Sequence, residues 1–235
     1  MRLVVIGVVA LFAVSGCDSL PGKPSPAERE PLPSEVLTFG ALYSQNCAGC
    51  HGANGRLGAA RPLNDPVYLA LVPRERLRHV IAAGVRGTAQ PAFGSSAGGP
   101  LTDAQIEVLI DGMNNRWGAG GRALPADLPP YDAGPTRPGD RGAAGRGRLV
   151  YAAACAACHG EDGRGGAKGG AISDPSYLAL VSDQHVRTTV LAGRSDLGMP
   201  DWRGGQAARP LTPREVSDVV AWIIAHRKPV PGRLP

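Results

Sequence analysis

At 235 residues the chain is long enough for one large domain or two small ones, and a small domain buries too little surface to be stable without help. A hydrophobic fraction of 43% is ordinary, but with aromatics at 5%, 33 glycines and 22 prolines the side chains alone make a thin core. The formal charge of +5 comes with no basic run interleaved with aromatics, which excludes a nucleic-acid binder.

The first residues read as a processing segment. Arg2 supplies a positive start, Leu3 to Val14 is an unbroken apolar or glycine stretch, and Val14-Ser15-Gly16-Cys17 follows. As a helix this stretch rises only about 18 Å, short of the ~30 Å of hydrocarbon that a membrane span must cross. Val14 to Cys17 resembles the bacterial lipobox, which implies a signal peptide over 1–16, removed on export, and acylation of Cys17 as a lipid anchor. The plainer alternative is an ordinary secretory signal with an incidental cysteine; both readings take the protein out of the cytoplasm. Asp18 resembles an inner-membrane retention signal of lipoproteins, which favours the inner membrane, on its periplasmic side. Residues 17–33 carry Pro21, Pro24, Pro26, Pro31 and Pro33 and form an extended tether.

Ser34 then stands as the N-cap of a predicted helix over Glu35 to Gln45, with Val36, Leu37, Phe39, Leu42 and Tyr43 on its apolar face. Gly52 to Leu63 is a glycine-rich loop. Asp65-Pro66 opens a short helix, Arg74 to Ala83 forms another that Gly84 stops, and Thr102 starts a last helix carrying Ile106, Leu109, Ile110, Met113 and Trp117. Residues 119–142 are rich in Gly, Pro and Arg and read as a linker. The order then repeats: helices over Ala143 to Ala154, Asp174 to Val181, Asp183 to Ala192 with Gly193 as the stop, and Thr212 to Arg227, before a tail over 229–235. No alternating strand pattern appears, so the fold class is all-α.

This order is an internal duplication. Asn64-Asp65-Pro66-Val67-Tyr68-Leu69-Ala70-Leu71-Val72 matches Ser173-Asp174-Pro175-Ser176-Tyr177-Leu178-Ala179-Leu180-Val181 at an offset of 109, and Pro100-Leu101-Thr102 matches Pro210-Leu211-Thr212 at 110. The copies, 34–118 and 143–228, are too long for solenoid repeats and read as two tandem domains.

Every cysteine has a place: Cys17 in the lipobox, Cys47-Ala48-Gly49-Cys50-His51 in the first copy and Cys155-Ala156-Ala157-Cys158-His159 in the second. C-x-x-C-H is the haem-attachment signature, because two thiols on one helical turn meet the two porphyrin vinyl groups and the next imidazole reaches the iron. A four-cysteine zinc site would leave both histidines unexplained, and a redox dithiol or plain disulfides need no histidine there. Two covalently bound haem c groups are therefore the expected cofactors. Their four propionates offset the net +4 left when the signal peptide is removed.

With these motifs and the closing helices in place, both copies resemble class I cytochrome c domains, and the chain resembles tandem two-haem cytochromes. The resemblance implies a Met in the loop ahead of the last helix as second axial ligand. Leu197-Gly198-Met199-Pro200-Asp201-Trp202 fits, implying His159/Met199 ligation, and a soft thioether favours ferrous iron. The first copy departs from the family: aligning Gly84 with Gly193 puts Gln90 where Met199 stands. Three readings stay open there: Gln90 coordinates through its amide oxygen, the His51 haem is five-coordinate, or another side chain steps in. Met113 reads as core and His79 as an exposed helix residue. A weaker sixth ligand lowers the first potential, so electrons are expected to run from the His51 haem to the His159 haem.

In the family a proline carbonyl often accepts from the proximal imidazole, and Pro62 fits; the second copy has Gly170 at the matching distance. Tyr68 and Tyr177 recur as candidate contacts to the haem edges, Arg61 and Arg74 are candidate propionate partners, and His185 and His226 read as surface residues. With no constellation of acid, base and nucleophile, the expected role is electron transfer rather than catalysis. Expected partners are redox proteins: a quinol-oxidising complex upstream, and an oxidase, reductase or other cytochrome downstream. The alternatives are a haem enzyme or sensor binding a small molecule at the His51 haem, or a cytochrome subunit of a larger dehydrogenase or oxidase.

Overall fold

A computed structural model describes residues 22, 25, 29–120, 124–132, 141–204 and 209–229. The expected signal peptide over 1–16, Cys17, and most of the expected tether and C-terminal tail lie outside the described residues. The chain divides into one unit up to Val36 and a second from Leu37 onward. In the first, Pro33–Glu35 is a single 3-10 turn, where the Glu35 carboxylate accepts from the Leu32 N–H at 2.8 Å and pairs with Arg29 at 2.9 Å.

The second unit is helical, with isolated bridges but no strand among the described residues. Its first half holds α1 (Phe39–Asn46), α2 (Ala48–His51), α3 (Pro66–Leu71), α4 (Arg74–Ala83) and α5 (Asp103–Trp117). Its second half repeats the series as α6 (Arg141–Ala154), α7 (Ala156–His159), α8 (Pro175–Leu180), α9 (Asp183–Ala192) and α10 (Pro213–Ile224). The starts follow side-chain capping. Asp65 accepts from Tyr68 N–H, Asp174 from Ser176 and Tyr177, and Thr102 and Thr212 close capping boxes with Gln105 and Glu215. Three boundaries move: the helix expected from Glu35 begins at Phe39, because Ser34 is taken up in the 3-10 turn and Thr38 is extended, α6 begins at Arg141, ahead of Ala143, and α10 ends at Ile224, short of Arg227. Leu37, expected in the core, is 53% exposed.

In each half the first and last helices pack together and carry the core. Phe39, Tyr43 and Trp117 meet edge-on or tilted with ring centroids 5.0 to 5.6 Å apart, and Tyr151 stacks on Trp222 at 4.1 Å. The approach of α6 to α10 depends on Gly147, where a Cβ would run into the Asp218 carbonyl and the Trp222 Cβ. The halves also share a core: Leu71 of α3 joins the buried cluster of Leu178, Val186, Leu191, Trp202 and Val216.

Candidate haem sites

Each attachment motif follows directly from the helix before it. The Cys47 N–H closes on the Tyr43 carbonyl at 2.8 Å, and α2 then makes one turn in which the His51 N–H bonds the Cys47 carbonyl at 3.0 Å. The Tyr43 hydroxyl donates to the Gly52 carbonyl at 2.9 Å, fixing the end of the turn. The second half reproduces this with Cys155 on Tyr151, His159 on Cys155, and the Tyr151 hydroxyl on Gly160 at 2.5 Å. All four thiols are free, and among the described residues no three His, Cys, Asp or Glu side chains gather into a metal cluster, so the two cysteine pairs stay apart. Burial first, and then the neighbouring cysteine, pushes the Cys47 and Cys155 thiols up to about 11, which keeps them neutral.

The imidazoles are held from behind. His51 Nδ1 donates to the Arg61 carbonyl at 2.8 Å, and His159 Nδ1 donates to the Gly170 carbonyl at 2.8 Å. With Nδ1 protonated, Nε2 keeps its lone pair for a metal. The acceptor for His51 is thus Arg61 and not Pro62, one residue earlier than expected, because the chain offers its carbonyl before the proline ring, which is itself fully buried. Burial, more than any neighbouring charge, lowers the His51 pKa, and this favours the neutral ligand form. Behind His159 the backbone comes so close that a Cβ on Gly169 would sit 2.8 Å from the ring Cε1 and Nδ1.

The loops ahead of the closing helices share a closing backbone bond, but the Gln90 N–H goes to the Thr88 hydroxyl at 3.2 Å where the Met199 N–H returns to Arg194. The Arg194 N–H donates to the Met199 carbonyl at 3.0 Å, and the Met199 N–H returns a bond to the Arg194 carbonyl at 3.0 Å. In the first half the Val85 N–H donates to the Gln90 carbonyl at 3.0 Å, so Gln90 occupies the station of Met199. The Gln90 amide nitrogen turns back to the Pro91 carbonyl at 3.3 Å. Met113 is 3% exposed among the core residues of α5, and His79 is exposed on α4.

Arg61 and Arg74 part company. Arg74 is exposed and tied to Asp111 at 2.6 Å and to Glu107, which removes it as a propionate partner. The Arg61 guanidinium is buried against the Tyr68 ring, 4.0 Å from its centroid, and Nε, Nη1 and Nη2 have no hydrogen-bond acceptor. Tyr68 is buried with it, while Tyr177 packs at the rim of the second core. Two free thiols per turn, an imidazole with its Nε2 available and a buried cation lacking an acceptor are what a thioether-bound haem with carboxylate arms requires, so the residues fit haem c.

Two features were not anticipated. His185 is mostly buried, not on the surface, and its pKa is pushed down to about 4, by burial first and then by the charges of Arg61, Arg194 and His51. His226 is also half-buried, its Nδ1 on the Trp222 carbonyl at 2.9 Å. The second feature is the bidentate pair of Arg194 with Asp196, at 2.9 and 3.0 Å, inside the Met199 loop. A signal for it lay in the duplication, since the first copy has Val85 and Gly87 at those two positions.

A family model described as cytochrome C oxidase, cbb3-type, subunit III matches residues 35–111 and again residues 142–223. Among curated relatives, the cbb3-type cytochrome c oxidase subunit FixP of Azorhizobium caulinodans is 30% identical over 180 residues, covering 72% of this chain and 53% of that protein. The subunit CcoP of Cereibacter sphaeroides is 28% identical, covering 78% and 58%, and a thiosulfate dehydrogenase of Stutzerimonas stutzeri is 28% identical, covering 80% and 62%. The chain spans about half the length of the first of these relatives. A chain of the Kuenenia stuttgartiensis reducing HAO-like protein complex Kustc0457/Kustc0458 shares the fold, with a TM-score of 0.50 at 18% identity over 85% of this chain and all of that one. The two matched stretches span more than half of the sequence, and each holds one C-x-x-C-H turn and one closing loop: the chain belongs to the family described as cytochrome C oxidase, cbb3-type, subunit III.

Proposed function

We propose that the chain is a two-haem electron carrier, tethered to the cell envelope through Cys17, with haem c joined to Cys47 and Cys50 in one domain and to Cys155 and Cys158 in the other. The observation that carries this reading is the repeated turn: two free thiols and an imidazole whose Nδ1 is already engaged by a backbone carbonyl, built twice. When bound, the haem iron supplies a one-electron couple. The protein's part is to hold His51 and His159 as proximal ligands, to present Met199 at the second site and Gln90 at the first, and to compensate a carboxylate with Arg61. No helix among the described residues is long and apolar enough to cross a membrane, and a lipid on Cys17 would supply an attachment.

The names of the relatives favour a second reading, a cytochrome subunit working within a larger oxidase or dehydrogenase. Partners in either case are redox proteins, with a quinol-oxidising complex upstream and an oxidase, reductase or cytochrome downstream. Because Gln90 replaces a thioether, gas binding at the His51 haem is a third possibility; unchanged spectra on adding carbon monoxide to the reduced protein would remove it. Intact mass under denaturing conditions tests the main reading, which expects the polypeptide to carry two haems on its four motif cysteines. A mature protein of bare polypeptide mass contradicts it, and purification from envelopes at native level decides between a free carrier and a bound subunit.

A further inference from the structure

The loop that carries Met199 is not held by its own domain alone. Its backbone closes on Arg194, and the Arg194 side chain both grips Asp196 and reaches the Gly58 carbonyl of the first attachment loop at 3.4 Å. The Asp196 carboxylate, 1% exposed, accepts the Leu57 N–H at 3.0 Å. Next to it the Ser195 hydroxyl donates to Asp65 Oδ2 at 2.9 Å and accepts from Arg56 at 3.2 Å. Asp65 spends its other oxygen capping α3, so the hydroxyl is tied to a rigid helix start. Leu57 is the non-glycine residue with positive φ among the described residues, at 61°, and the residue is 73% exposed. A left-handed leucine is strained, and no apolar burial offsets it here; what its conformation provides is an N–H aimed at Asp196. Met199 itself lines a cleft together with Asp65, Pro66 and Val67 of the first half. The contact is reciprocal, since the Ala89 N–H beside Gln90 donates to the Leu180 carbonyl of the second half at 3.0 Å.

We propose that Arg194, Ser195 and Asp196 form a latch through which the first attachment loop holds the Met199 loop closed, making Met199 ligation a property of the two halves together. The three are positioning residues, and the proposal rests on Met199 being the ligand of the second haem. A buried, charge-assisted hydrogen bond that must break before the loop opens sets the population of the open, sulfur-off state. Gly87 in the first copy has no carboxylate to offer, so the latch belongs to the second loop only.

The test uses the full holoprotein and follows the thioether-to-ferric-iron charge-transfer band while imidazole is added. In Asp196→Ala the band should disappear about tenfold faster than in the wild type. The double variant Arg56→Ala/Asp65→Asn changes only the first half and keeps an oxygen for the α3 cap; it should move the rate in the same direction, as should Ser195→Ala if Asp196→Ala does not accumulate. An unchanged rate in Asp196→Ala or in the double variant overturns the latch. Met199→Ala separates the two ideas: a band that survives it refutes the ligand assignment, whereas a band that vanishes there, with equal rates in the latch variants, refutes the latch alone.

Discussion

Gln90 and Met199 accept the matching closing bond in the two loops, and the difference between an amide and a thioether is the sharpest chemical contrast between the halves. A soft sulfur stabilises ferrous iron and a hard oxygen or an open position does not. Gln90→Met is therefore expected to raise the potential of the first haem, each tenfold gain in ferrous preference appearing as about 59 mV in a redox titration. A potential unchanged by the new sulfur would mean that residue 90 does not face the iron. The backing of the imidazoles was only partly legible at this scale: the sequence left the acceptor behind His159 open, where the bond falls on Gly170, and named Pro62 behind His51, where it falls on Arg61, because a carbonyl's direction depends on local φ and ψ that composition does not reveal.

Among the elements, the helices were the easiest to read, since Asp65, Thr102, Asp174 and Thr212 all cap where an Asx or Thr precedes an apolar period. Glu35 was misread because a carboxylate early in an apolar run satisfies a 3-10 turn, through Leu32 and Arg29, as well as a helix. What periodicity did not expose was the closeness of α6 and α10. Gly147 sits in α6, where glycine costs about 1 kcal/mol relative to alanine. It is kept there because any side chain meets the Asp218 carbonyl. Gly147→Val should cost about 1 to 3 kcal/mol by forcing the helices apart, read as an earlier midpoint in guanidinium unfolding. A variant as stable as the wild type would show that the two helices have room to separate.

For the whole molecule, the duplication announced two domains of one fold, but not how one covers the other. His185 is the clearest case: within its own helix it looks like a surface residue, and the groups that reach it include Arg61 and His51 of the first half. Its folded pKa of about 4 lies below the ordinary 6.5, so the unfolded chain takes up the proton first. Stability should be fully present above pH 6.5, fall as the pH drops toward 4 and level off there, by at most about 3 kcal/mol. In His185→Gln that part of the slope should vanish; a slope identical to the wild type would assign the acid sensitivity to other groups.

The account as a whole stands or falls on two unlike haems in one chain. A spectroelectrochemical titration of the matured, full-length protein should resolve two one-electron transitions from pigment that stays with the polypeptide in acid, with the haem of the Gln90 domain at the lower potential. Pigment that extracts into acid–acetone, or a first haem above the second, would contradict it.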